Sequence, residues 1–296
     1  MKIGLIDVDS HNFPNLALMK ISAWHKSQGD EVGWWLGNLW YYDRVYMSKV
    51  FDDAYSPDID EPFNCGEVIK GGTGYGLNNV LPDEIEHIYP DYSLYPALTK
   101  DTAYGFLTRG CPRGCGFCIV GSKEGLKSYK VADLSEFWRG QKNIVLLDPN
   151  LLACEQHMEL LQQLVDSKAR INFSQGLDIR LMTEGIADRL NNMRVDKLHF
   201  AWDNPKQDLT EYFKRFNTWY RRKNDKGVYI LINFNSTLQE DLYRIYTLRE
   251  IGYDPYVMVY DKPNAPRVIR HLQRWCNNRK IFKTVKNFED YNCKAV

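Results

Sequence analysis

The rhythm of apolar and polar positions along the 296-residue chain changes near residue 100. Before that point the apolar runs are short and unevenly spaced. KIGLIDV (2–8) is a continuous apolar run with the length of a buried strand. NLALMKISAWHKSQGD (15–30) follows Pro14 with apolar residues every three or four positions and stops at Gly29, as a helix does. EVGWWL (31–36), RVYMSKVF (44–51) and EVIKGG (67–72) predict three more strands, the last running into the glycine-rich GGTGYG (71–76). Asp52 to Pro62 is acidic and proline-bearing, which predicts an exposed loop, and YPDYSLYP (89–96) reads as a linker.

From Ala103 the pattern becomes regular. AYGFLT (103–108), NIVLL (143–147), INFSQ (171–175), KLHFAW (197–202), VYILINF (228–234) and PYVMVY (255–260) are short apolar or alternating runs, each followed by a helix-like segment. The helices are expected near Asp133–Trp138, Glu155–Ser167, Glu184–Asn191, Gln207–Arg222, Glu240–Ile251 and Ala265–Asn277. Strands alternating with helices imply a parallel sheet. Only six such units fit before the chain ends, so an open, partial barrel is expected rather than a closed one of eight strands. The chain thus divides into an α/β domain over 1–98 and a β/α domain with a basic C-terminal extension over 99–296.

Charge changes this picture little. Lysine and arginine balance aspartate and glutamate at 38 each, so no global field draws the chain to nucleic acid or a membrane. The start, MKIGLIDVDS, runs straight into a strand pattern without the features of a signal peptide. No stretch approaches the roughly 20 apolar residues of a membrane helix, and a cytoplasmic protein is expected. One local exception is RFNTWYRRK (215–223), a basic and aromatic stretch of the kind that suits nucleic-acid contacts as well as a solvated helix face.

The cysteines change it a great deal. Of seven, Cys111, Cys115 and Cys118 lie within eight residues, while Cys65, Cys154, Cys276 and Cys293 are scattered without ligand-like spacing. In a reducing compartment such a cluster indicates metal or redox chemistry rather than a disulfide framework. The stretch TRGCPRGCGFCIVG (108–121) places three thiolates on one tight loop directly after a strand, with Gly110, Gly114 and Gly116 freeing the backbone to wrap closely. Three soft ligands can hold three corners of an iron–sulfur cubane and leave the fourth iron open. A zinc site would need a fourth ligand, for which Cys154 and His157 are the candidates.

The Cys-x3-Cys-x2-Cys loop, with Phe117 before its third cysteine, resembles the signature of the radical S-adenosylmethionine superfamily, and the six β/α units resemble that family's partial (β/α)6 barrel. The resemblance implies a 4Fe-4S cluster on Cys111, Cys115 and Cys118 that cleaves S-adenosylmethionine reductively and yields a 5′-deoxyadenosyl radical for hydrogen abstraction. It also implies an external electron donor of flavodoxin or ferredoxin type, and a substrate, small or macromolecular, that the sequence does not name. Functional residues should then collect where the strands end. Gly116 and Phe117 lie in the loop itself. Asp148-Pro149-Asn150 stands where the family binds the methionine ammonium, without the usual Gly-Gly-Glu, and helix capping by Asp148 or Asn150 is the alternative. Arg180 suits the methionine carboxylate or a structural pair with Asp178, and Asp203 suits the ribose hydroxyls or a helix cap. Asn233, Asn235, Tyr260 and Asp261 end the last two strands, and Met258 and Val259 could flank adenine.

In the first domain, Asp9-Ser10-His11-Asn12-Phe13-Pro14 resembles the Asp-x-His-x-x-Gly loop of cobalamin-binding domains, with proline replacing glycine. Ser48-Lys49-Val50 and Gly71-Gly72 resemble that family's further elements, which implies a flavodoxin-like, Rossmann-type fold and makes cobalamin a possible though not favoured cofactor. Pro14 stiffens the loop, so His11 is expected to contact the loop backbone or the domain interface rather than a metal. The competing classes are a non-catalytic iron–sulfur electron-transfer protein, a cobalamin-dependent radical methyltransferase and a zinc-stabilised nucleic-acid-binding module.

Overall fold

The computed structural model describes residues 1–223 and 225–292. Strands β1 (Lys2–Asp7), β2 (Glu31–Trp34), β3 (Tyr42–Ser48) and β4 (Cys65–Gly71) form a parallel sheet in the order β2-β1-β3-β4. Helix α1 (Leu16–Ser27) starts where Asn15 accepts from the Leu18 N–H at 3.2 Å and donates to the Ser48 hydroxyl at 2.8 Å, which ties the helix start to the end of β3. Its Leu18 and Ile21 pack on Ile3, Leu5 and Tyr46, with Ile85 of the short helix α2 (Asp83–Glu86) closing the cluster. The opposite face of the sheet buries Ile6, Tyr42, Val45 and Met47 under loop residues such as Trp35 and Tyr75.

The stretch expected as a linker is ordered and packed. It carries a single 3-10 turn, Tyr92–Leu94, and leads into α3 (Pro96–Thr99). The Tyr92 hydroxyl donates to the Phe137 carbonyl at 2.6 Å, and the Tyr95 hydroxyl donates to Asp7 at 2.6 Å. These tyrosines dock the N-terminal sheet against the rest of the chain.

Beyond it, β5 (Thr102–Gly105) leads to a small antiparallel pair, β6 (Thr108–Arg109) and β7 (Tyr129–Lys130), with α4 (Val120–Glu124) between them. Then follow β8 (Asn143–Leu146), α5 (His157–Ser167), β9 (Arg170–Phe173), α6 (Glu184–Asn191), β10 (Arg194–Val195), β11 (Lys197–Ala201), α7 (Thr210–Trp219), β12 (Asp225–Ile232), α8 (Leu238–Glu250), β13 (Asp254–Val259), α9 (Arg267–Asn277) and α10 (Arg279–Thr284). They give two parallel sheets, β10-β9-β8-β5 and β11-β12-β13. The Leu177 N–H donates to the His199 carbonyl at 2.8 Å across the seam between them.

Period-two burial decides how these strands sit. Ile144, Leu146, Ile171, Phe173, Leu198, Phe200, Val228, Ile230 and Val257 point one way into a single apolar core. Strands of parallel sheets are usually buried on both faces. Here the alternate positions carry Tyr104, Asn172, His199, Tyr229 and Tyr256, none of them fully buried. Five of the six expected helices form within a few residues of their predicted bounds. The first, expected over Asp133–Trp138, is only a 3-10 turn, Leu134–Glu136, closed by a capping box between Asp133 and Glu136. Among the described residues no helix is long and apolar enough to cross a membrane.

Candidate metal and cofactor site

The cysteine loop hangs from the β6–β7 pair. Gly110 takes φ 77°, and a Cβ there would stand 2.1 Å from the Lys127 carbonyl oxygen, so the crossing of the two loop limbs requires glycine. Glu124 fastens the base by accepting from the Gly110 N–H at 3.0 Å and the Arg109 guanidinium at 2.8 Å. Cys111 and Cys115 are half-buried and Cys118 is exposed, all three as free thiols. Burial pushes the Cys115 thiol up, and Asp203, Cys118 and Cys111 add to the effect, so these three groups lie within electrostatic reach of Cys115. Among the described residues no three His, Cys, Asp or Glu side chains converge on a point that would hold a single metal ion. A 4Fe-4S cluster takes each thiolate on its own iron, and three free thiols on one glycine-bearing loop fit that donor set.

The residues beneath the loop are buried and polar. Asp148 accepts from the Thr108 N–H at 2.5 Å, the Thr108 hydroxyl at 2.7 Å and the Leu107 N–H at 3.1 Å. Burial pushes its carboxyl up to about 6 against the pull of those donors. Pro149 is half-buried between Asp148 and Asn150. The Asn150 amide nitrogen lies 3.6 Å from Cys111 Sγ and 3.4 Å from Asp178 Oδ2, while its Oδ1 is buried without a partner. Asp178 is gripped by Arg113 of the cysteine loop at 2.5 Å and by Arg180 at 2.7 Å. Burial raises the Asp178 carboxyl, but the two guanidinium groups outweigh it and hold it below the usual carboxylate range.

Asp203 is held from the other side. It accepts from the Leu231 N–H at 2.9 Å, and burial keeps its carboxyl above the ordinary value. Its backbone is fixed by Arg244 of α8, whose side chain is 1% exposed. That guanidinium donates to the carbonyls of Trp202 at 2.6 Å, Asp203 at 3.0 Å and Leu231 at 3.2 Å, and to the Asp241 carboxylate at 2.5 Å. A buried cation thus joins the ends of β11 and β12.

No family model matches the chain, and no curated protein sequence matches it. Solved structures do, among them a pair from one enzyme. Both are of the radical S-adenosylmethionine methyltransferase TsrM from Kitasatospora setae, each at 11% identity and TM-score 0.64 over 87% of this chain. They are covered over 74% and 72% of their own length, one with cobalamin and a 4Fe-4S cluster bound, the other with tryptophan substrate and the S-adenosylmethionine analogue aza-SAM. The chain has the fold of a radical S-adenosylmethionine enzyme.

Within that fold the predicted site residues divide by role. Gly116 and Phe117 stay in the cysteine loop beneath Phe234, whose ring meets Phe117 edge-on at 5.6 Å. Arg180 and Asp203 lie within electrostatic reach of Cys115. The guanidinium of Arg180 is engaged by Asp178 and by Gln207 at 3.1 Å, so the structural pair weighed from the sequence is formed. Asp148 accepts from the Leu107 and Thr108 N–H groups and the Thr108 hydroxyl, and Asn150 faces the first cysteine instead of capping a helix by its side chain. The candidate zinc ligands do not join the loop, since the Cys154 thiol is buried against Gln156 and His157 bonds the Cys154 carbonyl. Cys276 is buried with its thiol on the Pro255 carbonyl, and Cys293 lies outside the described residues. In the basic stretch Arg215 stacks on Tyr212 and Trp219, and Arg222 bonds the Met193 carbonyl.

Sequence reasoning missed Arg113, Arg244 and the aromatic wall of His199, Tyr229 and Tyr256. The wall was legible in principle, because strand alternation sets these three opposite the buried Leu198, Val228 and Val257. Arg113 had no local signal, since it acts on Asp178, distant in sequence; of Arg244 the Asp241 pair three residues earlier was local, while the carbonyls of Trp202, Asp203 and Leu231 were not.

The N-terminal motif is formed, with Asp9, Gly72 and Gly74 set against the chain's own backbone. Asp9 is 1% exposed and accepts from the Val50 and Phe51 N–H groups. A Cβ on Gly72 would stand 2.2 Å from the Lys49 carbonyl, and one on Gly74 would stand 2.2 Å from that of Phe51. A Cβ on Gly71 would meet open space. His11 is exposed at φ 23° and makes no hydrogen bond to another described residue. Phe13 makes an interface contact, 5.2 Å from the Tyr104 ring.

Proposed function

We propose that the protein is a radical S-adenosylmethionine enzyme that abstracts hydrogen from its substrate. The observation that carries this reading is the loop of three free thiols set over a buried polar floor of Asp148, Asn150 and the Arg113–Asp178–Arg180 network. Cys111, Cys115 and Cys118 would hold a 4Fe-4S cluster, which together with S-adenosylmethionine supplies reductive cleavage to a 5′-deoxyadenosyl radical. The chain's own residues bind, orient and exclude water. Asp148 fixes the strand that enters the loop, Asp178 ties the loop to the end of β9, and Arg244 sets the place of Asp203. The unpartnered Asn150 Oδ1 is a buried acceptor that a donor group of a bound cofactor can satisfy.

In this reading β5, β8, β9, β11, β12 and β13 form the arc of a partial barrel over residues 99–296, preceded by a flavodoxin-like domain over 1–98. The concave face with His199, Tyr229 and Tyr256 receives the substrate, and an external flavodoxin- or ferredoxin-type protein delivers the electron. The neighbouring structures are of methyltransferases, one with cobalamin bound. In this chain Pro14 stiffens the loop that bears His11, which supports hydrogen abstraction over methyl transfer from cobalamin. The test is anaerobic reconstitution followed by iron and sulfide analysis and an assay for 5′-deoxyadenosine. Wild type should bind about four irons per chain and form the nucleoside under reduction. Alanine at any of the three cysteines should abolish both the visible absorption of the full cluster and cleavage. A full cluster retained after all three changes would sink the proposal.

A further inference from the structure

Among the described residues one side-chain donor reaches the sulfur of a cluster cysteine, and it is the Asn150 amide, 3.6 Å from Cys111 Sγ. The sense of this amide is fixed by its neighbours. Its nitrogen faces two acceptors, the Cys111 sulfur and Asp178 Oδ2 at 3.4 Å, and a turned amide would set an oxygen against both. The amide's two N–H bonds match those two acceptors in number. The residue is also held in place, being 5% exposed with its carbonyl accepting from the Ser128 hydroxyl at 3.0 Å. Asp178 cannot swing away, because Arg113 and Arg180 grip it from two sides.

Resting on the cluster reading above, we infer that Asn150 tunes the reduction potential of the cluster through an N–H···S bond to the Cys111 thiolate. A thiolate ligand carries part of the cluster's negative charge, and that charge grows when an electron is added. An N–H donor on the sulfur therefore favours the reduced state, and hydrogen bonds to the sulfurs are among the known determinants of cluster potential. The bond is short-range and sheltered from water by its burial, so it acts in a medium that weakens it little. Its consequence is that a donor of modest reducing power can load the cluster. Asn150 is thus a positioning and tuning residue and takes no part in bond breaking.

Two measurements on the reconstituted holoprotein test this. In the first, wild type is labelled with 15N-asparagine, the cluster is reduced, and pulsed electron paramagnetic resonance looks for hyperfine coupling to 15N. The expected result is a coupling that vanishes in Asn150→Ala. In the second, redox titrations compare wild type with Asn150→Ala and with Asn150→Leu, which keeps the side-chain shape and removes the donor. At a fixed solution potential the ratio of reduced to oxidised cluster should fall about tenfold in each variant, a shift of about 59 mV to more negative potential for one electron. An unchanged midpoint in a variant with a full cluster overturns the inference and leaves the cluster assignment standing. If both variants lose the cluster, the wild-type coupling decides alone, and its absence overturns the inference. Wild type that takes up no cluster overturns both readings together.

Discussion

Replacing Arg244 with methionine removes the one buried cation that joins the ends of β11 and β12, and its effect can be worked from the contacts. Three carbonyls, of Trp202, Asp203 and Leu231, lose a donor, and the Asp241 carboxylate loses its charge partner. At roughly 1 kcal/mol for each carbonyl and roughly 2 for the charge-assisted bond, the gross loss is about 5 kcal/mol. Breaking one side of a buried pair typically costs about 3–5 kcal/mol, because the remaining charge stays buried. Asp241 is 1% exposed and its Oδ2 is already unpartnered, so little relaxation is open to it.

The double variant Arg244→Met with Asp241→Leu should recover at least about 2 kcal/mol relative to the sum of the single changes, since the stranded carboxylate is gone. Burial already raises the Asp241 carboxyl, and loss of the guanidinium raises it further. An acid with a raised folded pKa binds its proton more tightly in the native state. Stability therefore falls as pH rises from the unfolded carboxyl value through the folded one. Arg244→Met should accordingly be more destabilised at pH 8 than at pH 5, and the double variant should lack that difference. Urea unfolding of the cluster-free protein, followed by circular dichroism at both pH values, reads all of this. A loss under about 1 kcal/mol in the single variant, or strict additivity in the double one, would refute the reasoning.

Two further expectations concern the loop and the N-terminal domain. Asp148→Ala leaves the Leu107 and Thr108 N–H groups without their acceptor, which should cost about 2–4 kcal/mol in urea unfolding and lower the iron retained after reconstitution; wild-type iron content with unchanged stability would count against the anchoring role. Incubation with hydroxocobalamin followed by gel filtration should leave no stoichiometric cofactor on wild type or on His11→Ala, by absorption spectroscopy, and stoichiometric retention by wild type that His11→Ala loses would overturn that view.

The chemistry-bearing loop was legible in the sequence because its ligand spacing is local. Cys111, Cys115 and Cys118 are brought together by eight residues of backbone whose glycines allow the turn, and no distant contact is needed to gather them. Strands β8, β9, β11, β12 and β13 and most helices were legible for the same reason, since alternation and the caps at Asn15, Thr183 and Thr237 act over a few residues. Even the motif pieces Asp9, Ser48 and Gly71-Gly72 were found in the right order, at the ends of neighbouring strands.

What these polar groups do was decided only by the tertiary structure. Asp148 and Asp203 are both carboxylates just past strand ends. Asp148 faces the N–H groups of residues 107 and 108, forty residues earlier, while Asp203 faces Leu231, twenty-eight residues later. The same holds for Arg113, which meets Asp178 across the loop, and for Lys49 and Phe51, whose carbonyls fill the space beside Gly72 and Gly74. Sequence pattern encodes backbone conformation and which face is buried, both short-range properties. The partner a buried polar group finds depends on sheet order and register, which bring together residues far apart in the chain, and each group takes the nearest donor or acceptor because leaving one unmade is costly.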